Sequence, residues 1–457
     1  MDELNIFRTQ NIDKFSANIK DSQKHLGTLD LTLMSIGSVI GTGVMVLTGI
    51  VAAKEAGPAV AISFALSAIA AAFIVLCYAE LSASIQSSGG SYTFAYLTFG
   101  EVIAFIVGMC VVIAYILSAA TVASGWGSYL LSLLDVINIH IPKSFTNIPS
   151  QGGIINLPAI LAILFITFVI SGGTGSSKIV DNIMVLIKIG VILLFLIVGS
   201  RHMSASNWVP FEPYKMSGVM TGAASVFFAY CGFDATASAA PYVKNPKKAL
   251  PIGLLTSLFV CAIIYIGVSL VLTGITSYIN LDVPDALSYT LKLAKRPETA
   301  FIVSLGTVIG ILAVIYAGNF ATSQILLKIS EDGLLPKIFS KKNKKGSPII
   351  SLWTVGIISS ILAGFFNLKD LANFASIAFL LVYSIVSLSV IVFRKKYPNI
   401  KRSFKTPLVP FIPLLGAICC IILMINLTKI TWVIFGIILV CILIVYFLYG
   451  KNHSELR

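Results

Sequence analysis

The sequence predicts an all-α integral membrane protein of twelve transmembrane helices, arranged as a 5+5 inverted repeat followed by two extra helices. Three observations predict this class. The 457 residues are 57% hydrophobic and 11% charged, which is more apolar surface than a soluble fold can bury. Twelve apolar stretches are each long enough to cross about 30 Å of hydrocarbon as a helix. Glycine clusters interrupt the first and the sixth of these stretches.

The apolar stretches are continuous runs, which favours helices over barrel strands, whose residues alternate in polarity. The predicted spans are 29–53, 58–84, 99–134, 154–172, 177–200, 217–240, 249–274, 298–328, 349–366, 369–393, 409–428 and 430–449. The expected divisions of the chain are a tail (1–28), the first repeat (29–200), the second repeat (217–393), the two extra helices (409–449) and a second tail (450–457).

Both tails are expected in the cytoplasm, because an even number of spans places them on the same side. With that side inside, the cytoplasmic segments hold 22 of the 32 Lys and Arg residues and the opposite side holds 9. This asymmetry follows the positive-inside rule. The first 28 residues are polar and charged, so no cleavable signal peptide is expected, and the predicted location is the plasma membrane.

The composition also excludes several classes of partner and cofactor. The net charge of +13 comes from loops such as "KKNKK" and "RKKYPNIKR", which predicts contact with the lipid bilayer and no nucleic-acid partner. All seven cysteines lie in apolar spans without a CxxC motif, and the four histidines lie in tails or loops. No metal or cofactor is therefore expected. No nucleotide-binding P-loop occurs, so the sequence does not encode ATP-driven transport.

The glycine clusters predict two broken helices. "MSIGSVIGTGVMVLTGI" (34–50) centres on Gly41, and "FFAYCGFDATAS" (227–238) centres on Gly232. Each glycine costs a helix about 1 kcal/mol relative to alanine. The breaks lie five spans apart, so the second repeat is inverted relative to the first, which is typical of transporters with a binding site at the bilayer midplane. The alternative is that these glycines allow close helix packing.

Unwound backbone at both breaks predicts a site for a zwitterionic ligand. Free N–H groups at the start of the second half-helix of span 1 favour a carboxylate. Free carbonyls at the end of the first half-helix, together with carbonyls of span 6, would accept an ammonium. An α-amino acid carries both groups. The residues that supply these backbone groups are Val39, Ile40, Gly41, Thr42, Gly43, Phe228 and Cys231.

Five motifs in the same order carry a family resemblance. They are "LDLTLMSIGSVIGTGVMVLTG", "AGPAVAISF", "CYAELSASIQSSGGSYTFAYLTFGE", "FFAYCGFDATASAAPYVKNPKKALPIGLL" and "ISEDGLLP". From about residue 26 to 400 the chain resembles the amino acid–polyamine–organocation superfamily, and within it the bacterial relatives of the cationic amino acid transporters. The resemblance implies the leucine-transporter fold, alternating access, and amino acid transport without a required sodium ion.

The resemblance also implies roles for single residues. Thr42 and Gly43 would hold the substrate carboxylate. The carbonyls of Val39, Phe228 and Cys231 would hold the amine, and the Phe228 ring is similar to the aromatic residue that covers the substrate from outside.

The sequence departs from this branch where members that carry cationic substrates have acidic residues. Cys110 and Ala114 stand at these positions in span 3, and Pro241 and Tyr242 stand at those after span 6. Gln324 replaces an arginine that is common in span 8. The loss of carboxylates along the pathway disfavours arginine and lysine, so neutral amino acids are the predicted substrates.

Lys188 is the strongest candidate for a charged residue with a functional role. It lies about 17 Å along span 5, beyond snorkelling reach of either interface, and a lysine at that depth needs a partner or a role. Burial favours the neutral amine and nearby carbonyls favour the ammonium, so a change of surroundings would load and unload a proton. The resemblance implies a substitute for a sodium ion, close to the backbone of Gly37 and Ile40. The alternative is a structural lysine bonded permanently to span 1.

Three further polar residues have two interpretations each. Asp234 is either the N-cap of the second half-helix of span 6 or a gating and proton-relay carboxylate. Glu80 is either a contact that closes the inner gate or a solvated helix end. Asn319 either lines the pocket or joins two helices.

The predicted function is therefore proton-coupled uptake of neutral amino acids by a secondary transporter with alternating access. The alternative is an exchanger of amino acids or polyamines; polyamines lack the carboxylate that the predicted anion site requires. No enzyme is predicted, because Lys188 and Asp234 lie at depth without a nucleophile motif. A channel is disfavoured, since paired breaks indicate a central occluded site. A small accessory membrane subunit is left open as a partner.

Overall fold

The computed structural model describes residues 8–9, 26–87, 89–173, 178–343, 346–400 and 402–455. Over these residues the chain is helical without a strand, and Leu26 and Val243 form one isolated parallel bridge. The principal helices are α1 (Thr28–Val39), α2 (43–56, with turns Gly43–Leu47, Thr48–Val51 and Ala52–Ala56), α3 (Val60–Ile85), α4 (Gly90–Thr98), α5 (Glu101–Val136), α6 (Leu157–Ser171), α7 (Lys178–Ser200), α8 (Lys215–Val226), α9 (Phe233–Ala237), α10 (Pro246–Ile275), α11 (Ala286–Leu293), α12 (Pro297–Glu331), α13 (Ile349–Phe365), α14 (Leu368–Lys396), α15 (Phe411–Ile425) and α16 (Lys429–Val445). Short helical turns cover Gly57–Ala59, Lys143–Thr146, Pro149–Gln151, Ala205–Trp208, Phe227–Tyr230, Ala240–Tyr242, Tyr278–Leu281, Lys337–Ser340, Tyr446–Gly450 and Lys451–His453.

The apolar helices make the chain a multi-pass membrane protein. Within the described residues, eight helices are long and apolar enough to cross a membrane, and four shorter apolar helices accompany them. Each predicted span overlaps these apolar helices. α1 and α2 together cover the first span, and α8 and α9 cover the sixth. The exact count of twelve crossings and the 5+5 repeat stay predictions.

Both predicted breaks are present. The first lies between Val39, the last residue of α1, and Gly43, the first of α2. In the second, α8 continues through a 3-10 turn to Cys231, whose backbone is extended. Gly232 follows with φ +115°, a conformation that favours glycine, and α9 begins immediately after it.

The breaks lie in the protein interior and not against lipid. α5 packs along α12 and α14, and α10 packs on α1 and α3, so these helices enclose the interrupted segments. Ile40, Thr42 and Val44 are fully buried at the first break, as is Tyr230 at the second. Exposed backbone in hydrocarbon would lack hydrogen-bond partners, which is why a break needs such surroundings.

The two ends of the chain meet on one side of the fold. The Glu101 backbone N–H donates to the carbonyl of Arg8 at 2.9 Å, and the Ser454 hydroxyl donates to the Glu101 carboxylate at 2.5 Å. Most of the predicted N-terminal tail (1–7 and 10–25), and residues 456–457 of the C-terminal tail, lie outside the described residues.

Candidate functional site

The two breaks contact each other at the centre of the fold. A Cβ added to Gly43 would lie 2.5 Å from the backbone of Ala229, so this position fits only glycine without a shift. A Cβ added to Gly232 would lie 2.7 Å from the carbonyl oxygen of Ser38. The interrupted segments are therefore in direct contact with each other in this conformation.

A cavity of about 30 Å³ opens beside this contact. It has room for about two water molecules and none for an amino acid, so the surrounding helices must separate before a substrate enters. Its lining comes from α1, α5, α9, α12, α14 and the second break, and consists of Ser38, Tyr115, Ser118, Ala119, Val122, Cys231, Gly232, Ala235, Val314, Ala317, Gly318 and Phe379. No charged side chain lines this cavity among the described residues.

Several predicted ligand carbonyls already hold protein donors. The Tyr265 hydroxyl lies 3.0 Å from the carbonyl oxygens of both Val39 and Ala229 and shares its proton between them. The carbonyl of Ile40 accepts the Lys188 ammonium, and that of Phe228 accepts the N–H of Cys231. The expectation that these carbonyls are free is therefore wrong for this conformation, and a substrate amine must compete for their second lone pairs or displace their donors.

The residues predicted to bind a carboxylate lie at the first break. Thr42 is fully buried, and its hydroxyl has no hydrogen-bond partner. Gly41 faces Val314 of the cavity lining, with 3.6 Å between an added Cβ and the valine methyl. Thr42 and Gly43 do not line the cavity itself, so a carboxylate reaches the start of α2 only after the breaks move apart.

Lys188 connects α7 to the first break. Its side chain is 1% exposed, and Nζ donates to the carbonyl oxygens of Gly37 at 2.6 Å and Ile40 at 3.2 Å. The expected contact with these two residues is therefore confirmed. Gly310 of α12 provides space for the lysine stem, because a Cβ there would overlap Lys188 Cγ.

Asp234 lies behind the second break in an aromatic environment. Its carboxylate is 3% exposed and accepts the Tyr383 hydroxyl of α14 at 3.0 Å. The rings of Phe233 and Phe379 stack on Tyr383, with centroids 4.9 and 5.6 Å away. The N-cap position of α9 belongs to Gly232, and no side chain caps the helix. The N-cap interpretation of Asp234 is therefore wrong, and the carboxylate remains available for a role between helices.

Glu80 is fully buried and pairs with the end of α14. Its two carboxylate oxygens accept Nε and a terminal nitrogen of Arg394 at 2.8 and 2.7 Å. The Thr406 backbone N–H donates to the same carboxylate at 2.7 Å, and Arg402 Nε lies 3.6 Å away. The alternative of a solvated helix end is therefore wrong.

Comparisons with known proteins decide the family. A family model described as "Amino acid permease" matches residues 26–455. The chain belongs to this family. The methylthioribose transporter of Bacillus subtilis (strain 168) is 43% identical over 457 residues, covering 99% of both chains. The branched-chain amino acid permease BcaP of the same organism is 40% identical over 461 residues, with the same coverage. Human cationic amino acid transporter 4 is 34% identical over 381 residues, which are 81% of this chain and 59% of that protein.

These matches confirm the superfamily resemblance carried by the five motifs. They also establish the permease as a transporter and not an enzyme.

Cys231 is the only predicted binding residue of the permease in the described cavity lining, and Asn319 and Phe228 lie outside it, as the residues of the first break do. Asn319 is fully buried, and its amide donates to the Thr167 hydroxyl of α6 at 3.4 Å, a contact between helices. Phe228 is 5% exposed within the 3-10 turn of the second break. Neither side chain reaches the space beside Cys231 in this conformation.

Sequence reasoning missed the aromatic residues that surround the breaks. Tyr115 and Phe379 line the cavity with ring centroids 5.2 Å apart. Tyr265 and Tyr383 hold the breaks through their hydroxyls. A usable signal existed for Tyr265 and Tyr383, because each interrupts an apolar span, and a buried tyrosine hydroxyl usually finds a hydrogen-bond partner.

Proposed function

We propose that this permease is a secondary active transporter that takes up neutral amino acids together with protons by alternating access. The observation that carries the proposal is the position of Lys188 Nζ on the carbonyls of Gly37 and Ile40, directly before the first break. This arrangement joins a titratable buried group to the backbone of the predicted substrate site.

The cavity chemistry supports an uncharged substrate side chain. The described lining is apolar apart from hydroxyl, thiol and backbone groups, and a charged side chain would lack a compensating partner there. The N-terminal end of α2 supplies the partial positive charge for a carboxylate. A relative named as a branched-chain amino acid permease, 40% identical over nearly the whole chain, agrees with this substrate class.

Proton coupling follows from the alternatives open to the Lys188 amine. The ammonium is favoured while it donates to the two carbonyls, since charge-assisted hydrogen bonds are stronger than neutral ones. Movement of α1 away from α7 would remove these acceptors and leave a buried charge, which favours release of the proton. One charge moving through 100 mV gains about 2.3 kcal/mol, or roughly a fifty-fold concentration ratio.

We also infer the twelve-helix architecture with its inverted repeats, and the location of both termini in the cytoplasm. Twelve crossings, as two inverted five-helix repeats followed by two extra helices, agree with breaks five spans apart. An even number of crossings agrees with both chain ends meeting at Glu101. The excess of Lys and Arg in alternate loops supports cytoplasmic termini in the plasma membrane. Roles for Asp234 in proton transfer and for Glu80 and Phe228 in gating are proposed on the same basis.

A second candidate substrate rests on a separate observation. The methylthioribose transporter is 43% identical to this permease over 99% of both chains. Methylthioribose is also uncharged, but it has neither a carboxylate nor an ammonium for the two breaks. The exchange of amino acids or polyamines is the other alternative, although polyamines are cations and the described cavity lining is uncharged.

The deciding experiment is uptake into liposomes reconstituted with the purified permease. Radiolabelled alanine, leucine, arginine, putrescine and methylthioribose are compared with and without an inward proton gradient. The same assay is run on Lys188→Met, which keeps the stem that packs beside Gly310 and removes the charge. Lys54→Met, at an exposed lysine, is the matched control.

We expect a neutral amino acid to accumulate only with the gradient in the wild type and in Lys54→Met. Lys188→Met should bind and exchange this substrate but hold it at a concentration ratio near one, because no proton moves with it. Undiminished accumulation by Lys188→Met would make this lysine structural. Uptake that requires internal amino acid and ignores the gradient would identify an exchanger, and preference for methylthioribose would exclude the amino acid assignment.

A further inference from the structure

Helix α14 carries an ion pair at each of its ends. Near its first residue, Lys369 Nζ lies 2.6 Å from the carboxylate of Glu55, at the end of α2. In its last turn, Arg394 makes the bidentate contact with Glu80 of α3. The two cations are about 37 Å apart along the helix axis at about 1.5 Å per residue, so the pairs lie at opposite ends of the membrane region.

Burial separates these two pairs from ordinary surface ion pairs. Glu55 is 8% exposed and Glu80 is fully buried, whereas both partners of the neighbouring pair Lys54–Asp282 are about half exposed. Exposed pairs contribute little, but loss of one partner from a buried pair leaves an uncompensated charge. The buried pairs are therefore the ones whose breaking or forming would change the stability of a conformation.

The position of Lys369 has no explanation in helix stability. A cation in the first turn opposes the helix dipole, while Arg394 in the last turn agrees with it. Lys369 is instead placed to reach Glu55, which belongs to the half-helix that follows the first break.

The middle of α14 reaches the candidate site. Phe379 lines the central cavity, and the Tyr383 hydroxyl donates to Asp234 at the second break. Helix α14 therefore contacts the central cavity through its middle and carries one ion pair at each of its two ends.

We propose that Glu55–Lys369 and Glu80–Arg394 are two latches that open in turn, and that α14 couples them to each other and to the occupancy of the central site. Both pairs are closed in this structure, in agreement with a cavity too small for a substrate. A tilt of α14 that releases one pair would hold the other closed, because the helix is continuous from Leu368 to Lys396. The inference rests on the alternating access proposed above.

Accessibility of Cys231 to a membrane-impermeant thiol reagent tests the latches. Cys231 is a buried cysteine that lines the cavity, and Cys419 and Cys441, which are less buried, are replaced by serine in the background protein. Labelling is measured in intact cells and in inverted vesicles, which present opposite faces. The Cys231→Ser background defines the signal from other sites.

We expect Glu55→Gln to raise Cys231 labelling about tenfold from one face, which corresponds to about 1.4 kcal/mol in a two-state equilibrium. Labelling from the opposite face should fall in the same variant, because α14 then holds the other pair closed. Arg394→Gln should give the reverse pattern. If Arg394→Gln does not reach the membrane, Arg394→Lys replaces it, since lysine keeps the charge but loses the bidentate geometry.

A charge exchange and two matched controls make the test specific. Glu55→Lys combined with Lys369→Glu should restore slow labelling. Lys54→Gln and Lys342→Gln, which remove exposed pairs at the two ends, should label like the background protein.

Equal labelling of all variants, a rise at both faces together, or failure of the charge exchange to restore the wild-type rate would overturn the proposal. Labelling does not depend on which substrate or ion is carried, so an incorrect substrate or coupling ion leaves this test intact.

Discussion

Gly43 and Gly232 are both required at the breaks, but for different physical reasons. Gly232 has a positive φ that strains any residue with a Cβ. Gly43 begins an ordinary helical turn, and a side chain is excluded there because Ala229 of the other break occupies the space. Gly232 permits the unwinding, and Gly43 permits the contact between the unwound segments.

Gly43→Ala should therefore damage transport more than a typical glycine substitution. The added methyl group would lie 2.5 Å from Ala229 and push the breaks apart, and such overpacking costs about 1–3 kcal/mol. Gly436→Ala in α16, where no atom lies within 4 Å of the added Cβ, is the control and should transport normally. Uptake rates and thermal unfolding in detergent measure both effects. Identical behaviour of the two variants would contradict the close approach of the breaks.

At the residue scale, the sequence predicts which charged side chains are costly to bury. It does not predict the hydrogen-bond partners that these side chains contact in the fold. Lys188 could be predicted because a lysine deep in an apolar span requires acceptors, and broken backbone supplies them. The sequence allows two interpretations of Glu80, because Arg394 lies 314 positions away and nothing local connects them. A separation of 149 positions hides the contact of Asp234 with Tyr383, since only the packing of α14 against the second break creates it.

At the element scale, α10 holds the two broken helices together. Tyr265 in its middle shares one hydroxyl between the last residue of α1 and Ala229 of the second break. Apolar runs and glycine clusters were sufficient to predict the spanning helices and their interruptions. They could not predict α4 and α11, because helices of nine and eight residues are too short to appear as spans.

Tyr265→Phe isolates the contribution of this shared hydroxyl. The ring remains packed on Phe64 and Tyr230, with centroids 5.5 and 5.1 Å away. Two buried carbonyls lose a donor, so we expect the free energy of unfolding to fall by about 1–3 kcal/mol and uptake to slow.

The control for Tyr265→Phe is Tyr92→Phe, a buried tyrosine of α4 outside both broken segments, whose hydroxyl donates to the Asp332 carboxylate at 2.8 Å. It should lose similar stability in thermal unfolding, with unchanged transport. An equal loss of uptake in both variants would mean that α10 does not act through the breaks.

At the scale of the whole molecule, one buried residue, Glu101, contacts described residues near both ends of the chain. Glu101 is 3% exposed and accepts the hydroxyls of Tyr96, Tyr446 and Ser454 at 3.0, 2.9 and 2.5 Å. Its backbone N–H reaches the N-terminal segment at Arg8. Lys396, at the end of α14, donates to the carbonyl of Leu97 in α4, so the tails, α4 and the Glu80–Arg394 latch form one continuous structure at this end.

Ser454→Ala tests whether this junction stabilises the closed end. Hydrogen bonds to a charged group contribute about 1.5–3 kcal/mol, so the variant should unfold at a lower temperature in detergent. It should also expose Cys231 to thiol reagent from the face that carries the tails, because α4 then supports the Arg394 end of α14 less firmly. Ser206→Ala, at an exposed serine whose hydroxyl bonds the hydroxyl of Ser204, should change neither measurement. A lower melting temperature without a change in Cys231 labelling would mean that the Ser454 contact stabilises the fold but has no effect on the movement of α14.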